Sequence, residues 1–129
     1  MIALDTNVWV RYVTNDDPRQ ARQALKLLQE VDAVFVPKTV LLELEWVLRA
    51  VYELPAAAVR KALLHIAGLA IVTLEAPAQV ARALEYYDQG MDFADALHLS
   101  GSEAAETFYT FDARLVSRAR KVGVAVRKV

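Results

Sequence analysis

Residues 107–126 read TFYTFDARLVSRARKVGVAV. Thr107 to Phe111 are aromatic and β-branched, the composition of a strand. Asp112 ends that run. Ala113 to Val122 then alternates leucine, valine and alanine with arginine at helical spacing, and Val124 to Val126 returns to strand character. Strands alternating with helices at short loop lengths argue for a parallel sheet covered on both faces. This stretch decides for an α/β fold.

The same alternation runs back to the N-terminus. Ile2 to Asp5 reads as a strand, and a helix starts at Thr6–Asn7 and carries Trp9, Val10 and Val13. Asn15-Asp16-Asp17-Pro18 is a breaker and cap cluster opening a helix from Pro18 to Glu30. Ala33 to Val36 is a second strand, and Thr39 offers a cap for a long helix to about Tyr52. Leu54-Pro55 opens a helix that stops near Gly68; Leu69 to Leu74 is a third strand. Ala76-Pro77 starts a helix ending around Gly90, and Asp92 caps the next, which runs to about Ala105. There is no repeat, low-complexity tract or linker. The expectation is a single domain spanning 1–129, a three-layer α/β/α sandwich around a central, mainly parallel sheet of four to five strands.

Composition narrows the function. With 129 residues, 56% of them hydrophobic and 24% charged, the chain can bury an ordinary core and is not disordered. It has no cysteine, which removes disulfides, thiol nucleophiles and Cys-ligated zinc, and a cytoplasmic location is expected. The first strand begins almost at once, so no signal peptide is expected, and the longest apolar stretch carries too many charges to span a membrane. A net charge of −1 argues against a protein that coats nucleic acid by charge alone. Basic residues nevertheless gather after Thr107: Arg114, Arg118, Arg120, Lys121, Arg127 and Lys128 against Asp112 alone. They read either as a solvated helix face or as a rim for a polyanion.

Four acids stand out. Asp5 and Asp112 end strands, Asp95 lies within a helical pattern, and Glu43 interrupts an apolar helix. A parallel sheet gathers the carboxyl ends of its strands along one edge, where ligands bind. Carboxylates gathered there would repel one another unless a cation joined them. An oxygen-only donor set suits Mg²⁺ or Mn²⁺, ions that clamp phosphodiesters. The chain carries no G-x-S-x-G turn and no phosphate-cradling G-x-x-x-x-G-K-[ST].

Each acid also has an ordinary reading. Asp5, Asp92 and Asp112 could be helix caps, and Asp92 lies three residues before Asp95 on one helical face. Glu43 and Glu45 flank the apolar stripe of their helix at nearly equal angles, so periodicity cannot choose between them. His98 lies one turn after Asp95, near enough to support it. His65 has no acidic companion and reads as structural, while Trp9, Tyr12 and Trp46 read as core or subunit-interface residues rather than base-stacking platforms.

In order, LDTN (4–7), VLLELEWVL (40–48), DFADALHL (92–99) and TFDARL (110–115) resemble the motifs of PIN-domain ribonucleases, most nearly VapC-type toxins of toxin–antitoxin pairs. The resemblance covers essentially the whole chain. It implies an endoribonuclease dependent on one or two Mg²⁺ or Mn²⁺ ions, an RNA substrate, a cognate antitoxin protein that blocks the site, and a homodimer. It places the metal-binding and catalytic acids on Asp5, Glu43, Asp95 and Asp112, selects Glu43 over Glu45, and makes Asp92 an accessory acid. Asn7 and Thr110 are then supporting residues that orient the carboxylates, and Arg114 and Arg118 guide the RNA backbone. A non-cleaving PIN-fold module that binds RNA or protein is the alternative. A haloacid-dehalogenase-like phosphatase would need a second aspartate where Asn7 stands.

Overall fold

The computed structural model describes residues 1–129, and the backbone divides into two compact units, Met1–Pro77 and Ala78–Val129. The first holds β1 (Ile2–Ala3), α1 (Thr6–Thr14), α2 (Pro18–Glu30), β2 (Val34–Val36), α3 (Lys38–Trp46), α4 (Ala56–Ala67) and β3 (Val72–Leu74). Its sheet has the order β1-β2-β3 with both pairings parallel, Ile2 opposite Val34 and Val34 opposite Val72. Parallel pairing needs a long crossover between strands, and here helices supply each one. The strands are short and apolar; Val34 and Val36 are fully buried, as are Trp9, Leu41, Leu44, Leu48, Val59, Leu63 and Ile66 from the helices.

The caps explain the boundaries. Asp17 accepts the N–H of Gln20, with Pro18 in the first turn of α2, so this helix starts where the sequence places it. Thr39, expected to cap α3, does not. Pro37 occupies that position without a side-chain bond, and the N–H of Lys38 instead donates to Glu75 Oε1 at 2.8 Å. A cap supplied from 37 residues away leaves no local signal.

The expected continuous helix to Tyr52 also changes register. Val47–Val51 form a π-helical turn, closed by the Tyr52 N–H donating to the Val47 carbonyl at 3.1 Å. Such single turns inside helices are frequent at functional sites. Here the turn delivers the Tyr52 hydroxyl to Asp16 Oδ2 at 2.7 Å, while Arg11 Nη1 donates to that hydroxyl at 2.9 Å and to Asp16 Oδ1 at 3.0 Å. The network ties the end of α1 to the end of the α3 π turn.

The second unit holds α5 (Pro77–Asp88, entered from the first unit at Pro77), α6 (Phe93–Ser100), β4 (Phe108–Thr110), α7 (Ala113–Lys121) and β5 (Val126–Lys128). β4 and β5 pair in parallel, with Phe108 opposite Val126. The final strand begins later than expected because the N–H of Val124 is committed to the Ala119 carbonyl at the end of α7. α6 stops at Ser100 rather than near Ala105, and the chain turns through 101–106. All five strands are paired in parallel, which is the α/β class expected.

Candidate functional site

In the first unit, Asp5 is the N-cap of α1: its Oδ1 accepts the N–H of Thr6 at 2.8 Å. This uses one carboxylate oxygen and leaves the side chain exposed at the positive end of a helix. Asn7 is exposed too and makes no bond to Asp5; it lines a groove of about 330 Å³ with Arg11, Gln20 and Leu27. On α3 the structure separates the two glutamates that periodicity could not. Glu45 is 2% exposed, and its Oε1 accepts from Arg49 Nε at 2.7 Å across the π turn. Glu43 is exposed. Glu45 is therefore held in a packing role, and Glu43 is the acid left open to solvent.

In the second unit, Asp92 is the N-cap of α6, and its Oδ2 accepts the N–H of Asp95 at 3.2 Å. Asp95 follows in the first turn, half-buried. Its carboxyl is held above the ordinary value for an aspartate, first by burial, then by the charges of Asp92 and Asp112, with His98 pulling the other way. Asp112 is the N-cap of α7; its Oδ1 accepts the N–H of Arg114 at 2.8 Å. The expected support from Thr110 acts on the backbone: its Oγ1 accepts the N–H of Asp112 at 3.0 Å and fixes the turn from which the carboxylate projects.

Three of the acids thus lie on helix N-caps and a fourth in a first turn, where partial positive charge favours an anion. Asp95 feels the charges of Asp92 and Asp112, yet in neither unit do three or more such side chains gather closely enough to hold an ion. The chemistry of the donor set fits a hard divalent cation: oxygen only, repulsive, and in Asp95 partly desolvated. A cation would remove the repulsion that holds the Asp95 carboxyl up. A cavity of about 430 Å³ in this unit, beside Arg82, Ser102 and Val124, includes none of these acids.

The model of the PIN domain matches residues 2–121. The chain belongs to the PIN-domain family. PIN domains are generally metal-dependent nucleases, so a nuclease-type function follows from membership. A search of curated proteins finds no match. No helix is long and apolar enough to cross a membrane.

The arginines expected at the RNA divide. Arg118 Nη1 donates to the carbonyl of Gly90, clasping the turn before α6. Gly90 has φ +97°, a backbone conformation that strains any residue with a side chain, so glycine suits the turn that Arg118 clasps. Arg114 is exposed and forms no ion pair. His65 lies against Tyr12: its Nε2 is 2.7 Å from the Tyr12 hydroxyl, and the two rings stack at 5.6 Å. Nothing in the sequence singled out Tyr109 and Phe111, whose rings are exposed beside Asp112. Their only signal was that every position of a short strand was apolar or β-branched, leaving neither face polar.

Proposed function

We propose that this PIN domain, with its two units acting as one domain, is a metal-dependent endoribonuclease and the toxin of a toxin–antitoxin pair. One observation carries the reading furthest: a half-buried Asp95 whose ionisation is opposed by burial and then by the charges of Asp92 and Asp112, the kind of perturbation that gathers at functional sites. Asp5, Glu43 and Asp95, with Asp112 assisting and Asp92 accessory, would hold one or two Mg²⁺ or Mn²⁺ ions. When bound, such an ion lowers the pKa of water and neutralises charge on the phosphoryl oxygens.

The chain's own residues do the rest. The helix ends behind Asp5 and Asp112 fix both carboxylates in direction through their backbone N–H bonds. Thr110 keeps the Asp112 turn from rotating. His98, one turn after Asp95, offsets part of the negative charge that an approaching phosphate would meet. The cognate antitoxin and a homodimer belong to the same proposal, and exposed Trp46 (52%) and Val51 on neighbouring turns support a protein contact.

The test is cleavage of single-stranded RNA by purified protein with Mg²⁺ or Mn²⁺, with and without chelator, beside Asp5→Asn and Asp95→Asn. Metal-dependent cutting lost in both variants is expected. RNA binding without cutting would move the protein to the non-cleaving alternative.

A further inference from the structure

The β4–β5 ladder carries an unusual surface. Tyr109 is opposite Arg127 and Thr110 opposite Lys128. Tyr109 is 58% exposed while its neighbours Phe108 and Thr110 are half-buried, as alternation along a strand requires. Two residues further, Phe111 is 80% exposed, more than any other large apolar side chain in the protein. Val129 continues the ladder through its N–H bond to the Thr110 carbonyl.

A single exposed ring needs no explanation, but two rings flanking one strand end, immediately before a candidate catalytic acid, contribute little to the fold. Charge supplies the second observation. Arg127 and Lys128 lie on this strand pair and Arg114, Arg120 and Lys121 on α7 between the two strands; all are exposed and none forms an ion pair, while Arg118 is committed to Gly90. Exposed rings interleaved with unpaired cations match single-stranded nucleic acid, whose bases stack on aromatics while its phosphates meet lysine and arginine.

We propose that Tyr109 and Phe111, with Arg127 across the ladder, form a stacking platform for unpaired bases of the RNA substrate. The inference rests on the nuclease reading for the identity of that substrate. Because Phe111 directly precedes Asp112, a base held on its ring brings the adjoining phosphodiester to the catalytic acids of this unit. The platform would make unpaired RNA, with bases free to splay out, the preferred substrate over duplex.

The experiment uses the full chain carrying Asp95→Asn, so that bound RNA is not cut. A fluorescent single-stranded RNA of mixed sequence and the same backbone with abasic sugars are titrated against this parent. The same titrations follow for Tyr109→Ser with Phe111→Ser, and for Tyr109→Phe with Phe111→Tyr. Loss of both rings is expected to weaken base-bearing RNA by roughly tenfold or more and to leave the abasic backbone unchanged. The ring-retaining pair should bind as the parent does. In the parent, 2-aminopurine in the RNA should be quenched on binding, a readout that needs no serine variant to fold.

Equal affinity with and without the rings, an equal loss on the abasic backbone, absent quenching, or no RNA binding by the parent would each overturn the proposal. So would a change from dimer to monomer in the serine variant with RNA binding intact, which would assign the face to a second copy of this chain. The two readings fail separately: a wild-type protein that cuts RNA without using the rings loses only the platform. One that stacks RNA on them but cuts nothing loses only the nuclease.

Discussion

The side chain of Asp92 accepts the backbone N–H of Asp95 at 3.2 Å, and the charge of that carboxylate helps make the Asp95 carboxyl harder to ionise. One residue therefore builds the helix start and loads its neighbour with repulsion.

The first consequence concerns Asp95→Asn without metal. Removing a half-buried, repelled carboxylate while keeping its shape should leave the melting temperature unchanged or raise it. The cost falls on function: RNA cleavage should drop by more than about 100-fold, beyond the 10–100-fold typical of a supporting residue. Wild type should gain about 2.7 kcal/mol of stability at a hundredfold excess of Mg²⁺ or Mn²⁺ over its Kd, and the variant should not. Thermal melts with and without metal, beside a cleavage assay, check all three.

Asp92 can be divided into its two roles. Asp92→Ala removes cap and charge and should cost about 1 kcal/mol. Asp92→Asn keeps an N-cap side chain and should hold stability within about 0.5 kcal/mol. As an accessory acid, its loss of charge should still lower cleavage about tenfold. Undiminished cleavage by Asp92→Asn would reduce the residue to a cap.

The two glutamates of α3 should respond in opposite ways. Glu45→Gln strips a buried carboxylate from Arg49 and should destabilise by roughly 1–3 kcal/mol in denaturant unfolding. Glu43→Gln, on an exposed position, should unfold as wild type does yet lose metal-dependent cleavage. Activity that follows Glu45 instead would reverse the assignment.

The Arg11–Asp16–Tyr52 network should appear in the pH dependence of stability. The Tyr52 hydroxyl, more than any other contact, holds the Asp16 carboxyl below its ordinary value of 3.8; burial opposes it, and Thr14 and Arg11 assist. A depressed carboxylate stabilises the fold above the unfolded pKa, and the benefit is lost as pH falls through the folded value. The difference in melting temperature between wild type and Tyr52→Phe should therefore be steady from neutral pH to about 5 and narrow below about 4. A gap that stays constant down to pH 2 would mean that Asp16 takes no part.

Much of this was legible along the chain because the signals were local. Asp17-Pro18 marked the start of α2, and alternating strand and helix patterns argued for parallel pairing. Asp5, Asp92 and Asp112 were readable as caps, since a cap is set by its nearest backbone N–H groups. What failed was what depends on distant partners. Thr39 was the better local cap for α3, yet Glu75 took the role; Tyr52 ended an apparent helix, yet a π turn turned it toward Asp16.

The sequence by itself determined the family and the class of fold: the order LDTN, LLELEWVL, DFADALHL and TFDARL, and an alternation of strand and helix patterns that argues for a parallel sheet. Packing alone decided which charges are spent on the fold and which stay open. Glu43 and Glu45 are equivalent by angle on an isolated helix, and only burial against the rest of the protein closes one around Arg49 and leaves the other to solvent. The same holds for Arg118, claimed by a carbonyl 28 residues away, and for Tyr109 and Phe111, left bare on their strand. Local sequence carries the free energies of turns and caps, whereas exposure is a property of what lies across from a residue, and that is settled only when the chain is folded.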